Sequence, residues 1–387
     1  MFSFDRDKRQ KTDRPDRDGA PLNSTPLNSA SPTRRSGPWG RQALLNAGLV
    51  CLAAGAVGGK QLLLHSSLRA FSTGPGGCIQ ITPPVANLAL TDIYLLGTGT
   101  GQGVLRVEWD GNSTATQFVN GGTPGASTLT NNNGHYTLID TFVPQVGAGA
   151  RRVYSVQQQD PPATPPPPYA GCDRPLSPAV TINATPVQAA VSGNQSVDAR
   201  YDPRYALWTH LNHNFGATTY RGGLYAGYNG DNSQVGHAYL NFAPPPVPQG
   251  QSVWPNVGSV NAYYLRSYTP GSTSIGCRSV PSAWASTTLT WSTAPAPITG
   301  GVTPAATVSY DSQQPVPQPI TGWTHWNMSG EIPSAVPGGA YAAFLYGTSE
   351  PSTATDPIGG AATGWAYFSK KEYAQGQPAC ILYAYSN

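Results

Sequence analysis

Residues Val104–Asp110 read "VLRVEWD". In an extended chain Val104, Arg106 and Glu108 fall on one side, and Leu105, Val107 and Trp109 on the other. A wholly apolar side opposed to a mixed one marks a half-buried β-strand. Similar short runs surround it: "CIQIT", "DIYLLG", "TQFVN", "HYTLIDTF" and "RRVYSVQQQ". They are divided by "GTGTGQG", "NGGTPGAS" and "NNNG", all rich in turn formers. Strands at this spacing predict an all-β fold, with a small immunoglobulin-like sandwich over residues 78–190.

Composition agrees. The chain has 387 residues, of which only 11% are charged, while Gly (44) and Pro (38) are abundant. A disordered chain is poor in aromatics, yet 20 Tyr, 9 Trp and 9 Phe stand here among Thr, Val and Ser. That mixture suits strands joined by Gly/Pro turns. Residues 1–42 hold nine of the 22 Lys/Arg and five of the 19 Asp/Glu, which leaves 13 bases against 14 acids elsewhere. A nearly neutral body lacks the basic stripe of a nucleic-acid binder.

Residues 1–42 show no apolar period and are expected to be disordered. They lead into a mildly apolar stretch at 43–64, "ALLNAGLVCLAAGAVGGKQLLL". Its uninterrupted part, Ala43–Gly59, is at the lower limit of length for a membrane span. With the basic residues on its N-terminal side, residues 1–42 would face the cytoplasm and the body the exterior. The stretch is either an export signal cleaved near Ala54–Ala56 or an uncleaved anchor, and membrane contact is expected only through it. Arg34 and Arg35 form a twin-arginine pair, although Ser36, Gly37 and Pro38 follow where apolar residues usually stand.

Beyond Cys51 the chain has Cys78, Cys172, Cys277 and Cys380. Four cysteines allow three pairings. The simplest is Cys78–Cys172 with Cys277–Cys380, each bridge inside one module, which would suit an oxidising, extracellular or cell-surface location. The proline run at 161–168 reads as a stiff loop of the first module. The module boundary is expected near Val191–Ser196.

The second module, 197–387, carries a resemblance. In order along the chain come "HNFGATTYRGGLYAG", "HAYLNF", "VNAYYLRSY", "SVPSAWASTTLTWSTAP", "WTHWNMSGEI", "YFSKKEY" and "PACILYAY". This succession resembles the DNRLRE domain, a β-sandwich family of exported bacterial and archaeal proteins that overlaps a carbohydrate-binding-module family. The resemblance implies a jelly-roll-like sandwich that recognises polysaccharide or surface glycan. It departs from the family pattern where Ala243 follows "AYLNF" and where Asn327-Met328-Ser329 replaces an Asp-Val-Thr stretch. Cys277 and Cys380 are additions to that pattern.

No catalytic motif stands out: there is no His-Glu-x-x-His, Gly-x-Ser-x-Gly or phosphate-cradling loop. Only Glu108, Glu331, Glu350 and Glu372 occur as glutamates, and a glycosidase needs two facing carboxylates. The chain is therefore read as non-enzymatic. His210, His213, His237 and His325 are read as solvated or hydrogen-bonded rather than as a metal cluster, and no metal is expected. Asp231 in "YNGDNS" reads as a turn, with Ca²⁺ there as the alternative.

Sugar rings are held by exposed aromatic faces. In "TLTW" (Thr288–Trp291) strand alternation places Leu289 and Trp291 together on a buried face, with Trp284 as a loop-to-strand anchor. The expected ligand-binding residues are Tyr220, Tyr225, Tyr228, Trp323 and Trp326, in glycine-rich or turn-flanked text. The function implied is adhesion to a glycan. Self-association into a coat, fibre or stalk is the alternative, and polysaccharide processing a minor one.

Overall fold

The computed structural model describes residues 82–121, 127–161, 175–202, 207–209, 223–229, 234–267, 272–311, 318–319, 322–348, 350, 364–371 and 377–387. Residues 1–64, Cys78, Cys172 and most of the proline run lie outside these. All the described residues belong to one compact unit, Ser67–Asn387. Among them are nineteen β-strands and a single five-residue α-helix, so the fold is all-β.

The first strands follow the alternation of the sequence. They are β1 (Ala86–Leu96), β2 (Gln102–Asp110), β3 (Thr116–Asn120), β4 (Thr128–Asn132) and β5 (His135–Phe142). A four-stranded antiparallel sheet runs β1-β2-β5-β4. Asn133 and Gly134 join β4 to β5 with φ of 58° and 95°. Two consecutive positive φ angles are what a two-residue type I′ hairpin requires. In β2, Leu105, Val107 and Trp109 are fully buried while Arg106 is exposed, as the "VLRVEWD" pattern demands. Trp109 stacks on Tyr136 across the hairpin with centroids 5.6 Å apart.

Next come β6 (Gly147–Ala148) and β7 (Arg152–Gln159), with β3 pairing β7 rather than its sequence neighbours. A buried carboxylate ties β5 to β7. Asp140 pairs with Arg152 at 2.9 Å, accepts a hydrogen bond from the Tyr154 hydroxyl at 2.8 Å, and is itself fully buried. Burial, then the Asp140 charge, pushes the Tyr154 phenol well above its ordinary value and keeps it a donor.

The remaining elements are β8 (Val180–Asp202), β9 (Leu207–Thr209), β10 (Gly223–Asn229), β11 (Gln234–Phe242), β12 (Ser252–Ser267), β13 (Ser272–Val280), β14 (Ala305–Asp311), β15 (Gln318–Pro319), β16 (Gly322–Asn327), α1 (Glu331–Ala335), β17 (Tyr341–Gly347), β18 (Gly364–Ser369) and β19 (Cys380–Ser386). They form a large sheet in the order β15-β14-β13-β17-β11-β10-β18-β12-β19-β8-β7-β3. A further antiparallel pairing of β11 with β8 closes β8, β19, β12, β18, β10 and β11 into a ring. Closure removes sheet edges that would otherwise expose unpaired backbone.

The expected division at Val191–Ser196 falls inside β8 and is corrected by it. This one strand pairs β7 through Val180–Ala184, β19 through Thr185–Ala190 and β11 through Val191–Arg200. The C-terminal strand is thus bonded to residues assigned to the first module. β19 also belongs to both cores. Ile381, Tyr383 and Tyr385 lie in the inner core with Val260, Ala343 and Phe368. Cys380, Leu382 and Ala384 lie in a second core with Leu105, Trp109 and Tyr154. A polar seam locks β1 onto β12: the Leu95 amide donates to Asn261 Oδ1 at 2.9 Å, and Ser259 Oγ donates to the Ile93 carbonyl at 2.5 Å. Asn261 Nδ2 completes it by donating to Ser259 Oγ at 2.9 Å.

The second correction concerns cysteine. Cys277 and Cys380 are both free and buried. Cys277 sits in the inner core opposite Leu345, whereas Cys380 lies in the second core beside Ala190 and Asn261, on a strand not adjacent to β13. Burial raises both thiols, Cys380 to about 12, so neither is a thiolate at neutral pH. Iodoacetamide is therefore expected to spare both in the native protein and to label both after denaturation without reductant. A peptide pair linked through Cys277 and Cys380 in non-reducing mass analysis would contradict the arrangement.

Candidate functional site

The longest described connection in the unit is residues 281–304, between β13 and β14, and it contains "WASTTLTWSTAP". Connections of this length in a compact domain are uncommon and often functional. Expected as a strand, Thr288–Trp291 is instead a chain of turns. The Thr288 and Leu289 amides both donate to the Ala285 carbonyl, and a 3-10 turn follows at Trp291–Thr293. Threonine hydroxyls satisfy the backbone locally: the Thr290 amide donates to Thr293 Oγ1 at 2.9 Å. Such bonds offer an alternative to a ladder, and β13 and β17 already have strands on both sides.

The loop lies flat on the outer face of β11 and β17. Leu289 is buried there with Val197, Tyr239, Val280, Ala342 and Phe344, as the alternation implied, but Trp284 and Trp291 are only half-buried at the margin. Tyr239, Phe344 and Tyr346 stack in a row with centroids 5.3 Å apart at each step. His237 lies 4.6 Å from Trp291 and pairs through Nε2 with Glu350 Oε1 at 2.8 Å. At the end of the row the Arg278 guanidinium sits 5.7 Å over the Tyr346 ring. The row crosses the sheet because Tyr239 and Arg278 both stand opposite Phe344 in the strand register.

The second half of the loop walls a cleft of about 590 Å³ between Ile298–Val302, the end of β13 and α1. That size is within the ~300–1,000 Å³ of small-molecule sites. Its floor is a hydrogen-bonded row. Ser279 Oγ donates to Glu331 Oε2 and receives the Tyr341 hydroxyl at 2.8 Å. Glu331 Oε1 accepts from the Val302 amide at 2.5 Å, which fixes the loop over the carboxylate. A Cβ at Gly301 would lie 2.5 Å from Glu331 Oε1, so a side chain there would push the carboxylate aside. Gly330, with φ 87°, turns the chain so that Glu331 opens α1 facing the cleft.

Burial, then the nearby Cys277, pushes the Tyr341 phenol well above its ordinary value. Tyr341 therefore stays a neutral donor, Ser279 relays, and Glu331 accepts. Ser329 and Ser334 add hydroxyls at the rim. Acceptors held this way match the hydroxyls of a polyhydroxylated ligand. Among the described residues Glu331 is the one carboxylate lining the cleft.

The expected ligand-binding aromatics lie elsewhere. Tyr225, Tyr228, Trp323 and Trp326 are buried at 7%, 2%, 8% and 1% exposure, which corrects their assignment as platforms. Tyr225 fills the space that a side chain at Gly236 would take. Trp326 donates through Nε1 to the Ile275 carbonyl at 2.7 Å inside the core, and Trp323 through Nε1 to the Gly99 carbonyl at 3.1 Å. A ring enclosed by protein presents no face to a sugar. Tyr220, His210, His213 and Asp231 lie outside the described residues.

Among the described residues no group of three or more His, Cys, Asp and Glu is arranged to hold a metal, and no helix is long and apolar enough to cross a membrane. His325 stacks on Tyr94 at 4.1 Å, and burial lowers its pKa. The chain matches no protein-family model and no curated protein.

Ser279, Tyr341 and Arg278 gave no sequence signal of a site. Glu331 gave a weak one, as a rare glutamate directly after a Gly. Trp326→Ala is expected to cost about 3–5 kcal/mol of stability as a large buried ring is removed, and Trp291→Ala less than half of that. Chemical denaturation checks both; equal costs would contradict the placement of the two rings.

Proposed function

We propose that this chain is an exported, non-catalytic recognition protein that binds polysaccharide or surface glycan in the cleft beneath loop 281–304. The observation that carries the reading is Glu331, half-buried and held by Ser279 and the Val302 amide at the floor of an open cleft, with the buried Tyr341 hydroxyl behind Ser279. A carboxylate held this way accepts from sugar hydroxyls without rearranging. Fixing it in advance spares the ligand much of the ordering cost of binding.

Two further observations support the reading. Half-buried Trp284, Trp291 and Tyr346 lie on the same loop or beside it and leave aromatic surface next to the cleft. The ordered resemblance of residues 197–387 to DNRLRE modules implies carbohydrate binding. An extracellular or cell-surface location rests on the apolar stretch at 43–64 alone, because the free thiols of Cys277 and Cys380 withdraw the disulfide argument.

Self-association is the second reading. The strands β3 and β4 end their sheets with one edge unpaired in the described residues, and β4 is exposed along its whole length. Such edges are templates for another chain.

A glycan array followed by titration calorimetry on the full chain tests the first reading. Glu331→Gln is expected to weaken a detected glycan about tenfold or more, the scale of a lost charged hydrogen bond. Equal binding by the variant would remove the cleft as the site. Ordered filaments in electron micrographs, with no glycan bound, would favour self-association.

A further inference from the structure

Arg278 is the last cation on β13 before the loop, and it is half-buried. Among the described residues it forms no ion pair. Glu331 is bonded to Ser279 and the Val302 amide, and Glu350 to His237. The guanidinium instead rests over the Tyr346 ring. Gly276, opposite Tyr346 in the register, leaves room for that ring, since a Cβ there would lie 2.5 Å from it. Stacking on an aromatic fixes the plane of the guanidinium while leaving its N–H fork open.

Arg278 lines a second cavity of about 280 Å³, together with Ser279, Pro297 and the Ile298–Val302 segment. This cavity shares Ser279 and Ile298–Val302 with the larger cleft, so the two adjoin along one loop wall. A partly desolvated cation with no ion pair among the described residues is costly to keep, and an incoming anion relieves that cost. The charges of the two cavities are opposite. Glu331 repels anions from the larger cleft, and Arg278 attracts them to the smaller.

We propose that Arg278 is the specificity residue of the glycan site and that the ligand is an acidic glycan, its hydroxyls over Glu331–Ser279–Tyr341 and its anionic substituent, a carboxylate or sulfate, on the Arg278 fork. This rests on the glycan reading above. Carboxylate and sulfate both present the oxygen pair that an Arg fork accepts bidentately. A neutral sugar would leave Arg278 as it is in the free protein and gain nothing from it.

The test measures binding of the full chain to polygalacturonate, dextran sulfate and unmodified dextran, for the native protein, Arg278→Gln and Arg278→Lys. The native chain is expected to bind at least one acidic polymer tenfold or more tightly than dextran, and which one identifies carboxylate or sulfate. Arg278→Gln is expected to erase that preference, bringing affinity for the acidic polymer down to that for dextran. Arg278→Lys, which keeps the charge but not the fork, is expected to lose several-fold and decides the matter should the Gln variant fail to fold. The basic residues of 1–42 are common to all three proteins and cancel in the comparison.

Undiminished preference for the acidic polymer in both variants would overturn the role of Arg278 while leaving glycan binding standing. Native preference for dextran would do the same. Absence of binding to all three polymers and to the array would overturn both readings together.

Discussion

The strand pair β8–β19 is the constraint on which the rest of the unit depends. A half-buried strand contributes to one core, but β19 sends alternate residues into two, with Tyr383 and Tyr385 on one side and Leu382 and Ala384 on the other. β8 extends the same arrangement over 23 residues and is bonded in turn to β7, β19 and β11. Removing either strand would open both cores and break the ring of pairings at once. The buried bonds from Asn261 and Ser259 to the backbone of β1 add a polar lock, whose geometry admits one register between the sheets.

This rigidity positions the candidate site. The C-terminal part of the loop at 281–304 is anchored along β13: the Ile298 amide donates to the Ser279 carbonyl, and the Cys277 amide to the Pro304 carbonyl. Ahead of those anchors Leu289 is pressed onto the outer sheet face, and from the first of them Ile298–Val302 is set over Glu331. The loop thereby joins the aromatic row of β11 and β17 to the polar floor supplied by β13, α1 and β17. A binding surface on a loop gains precision when the scaffold beneath it is fixed.

The sequence made the β character plain because period-two alternation is local. "VLRVEWD", "HYTLIDTF" and the Asn-Gly turn at 133–134 each read correctly from a few residues. What it concealed was long-range. β19 lacks a polar face, and Tyr225 of β10 and Trp326 of β16 stand in glycine-rich or turn-flanked text, so no local pattern tells their buried rings from exposed ones. "TLTW" alternates like a strand, yet its threonines bond their own backbone and its neighbours leave it no edge. Leu289 is buried all the same, because a loop lying on an apolar face selects the same residue as a strand would. The Cys277–Cys380 bridge and the module boundary both presume that contacts stay within each half, whereas β8 and β19 carry them across. The row Glu331–Ser279–Tyr341 is drawn from three elements, and no spacing along the chain announces it.

Native-state hydrogen exchange tests the single-body arrangement most directly. Amides of β19, of Thr185–Arg200 in β8 and of β2 are expected to exchange last and with one common free energy, the global unfolding value. Residues 82–180 opening as a separate unit, at a lower free energy than β19, would contradict it and restore the division into two modules.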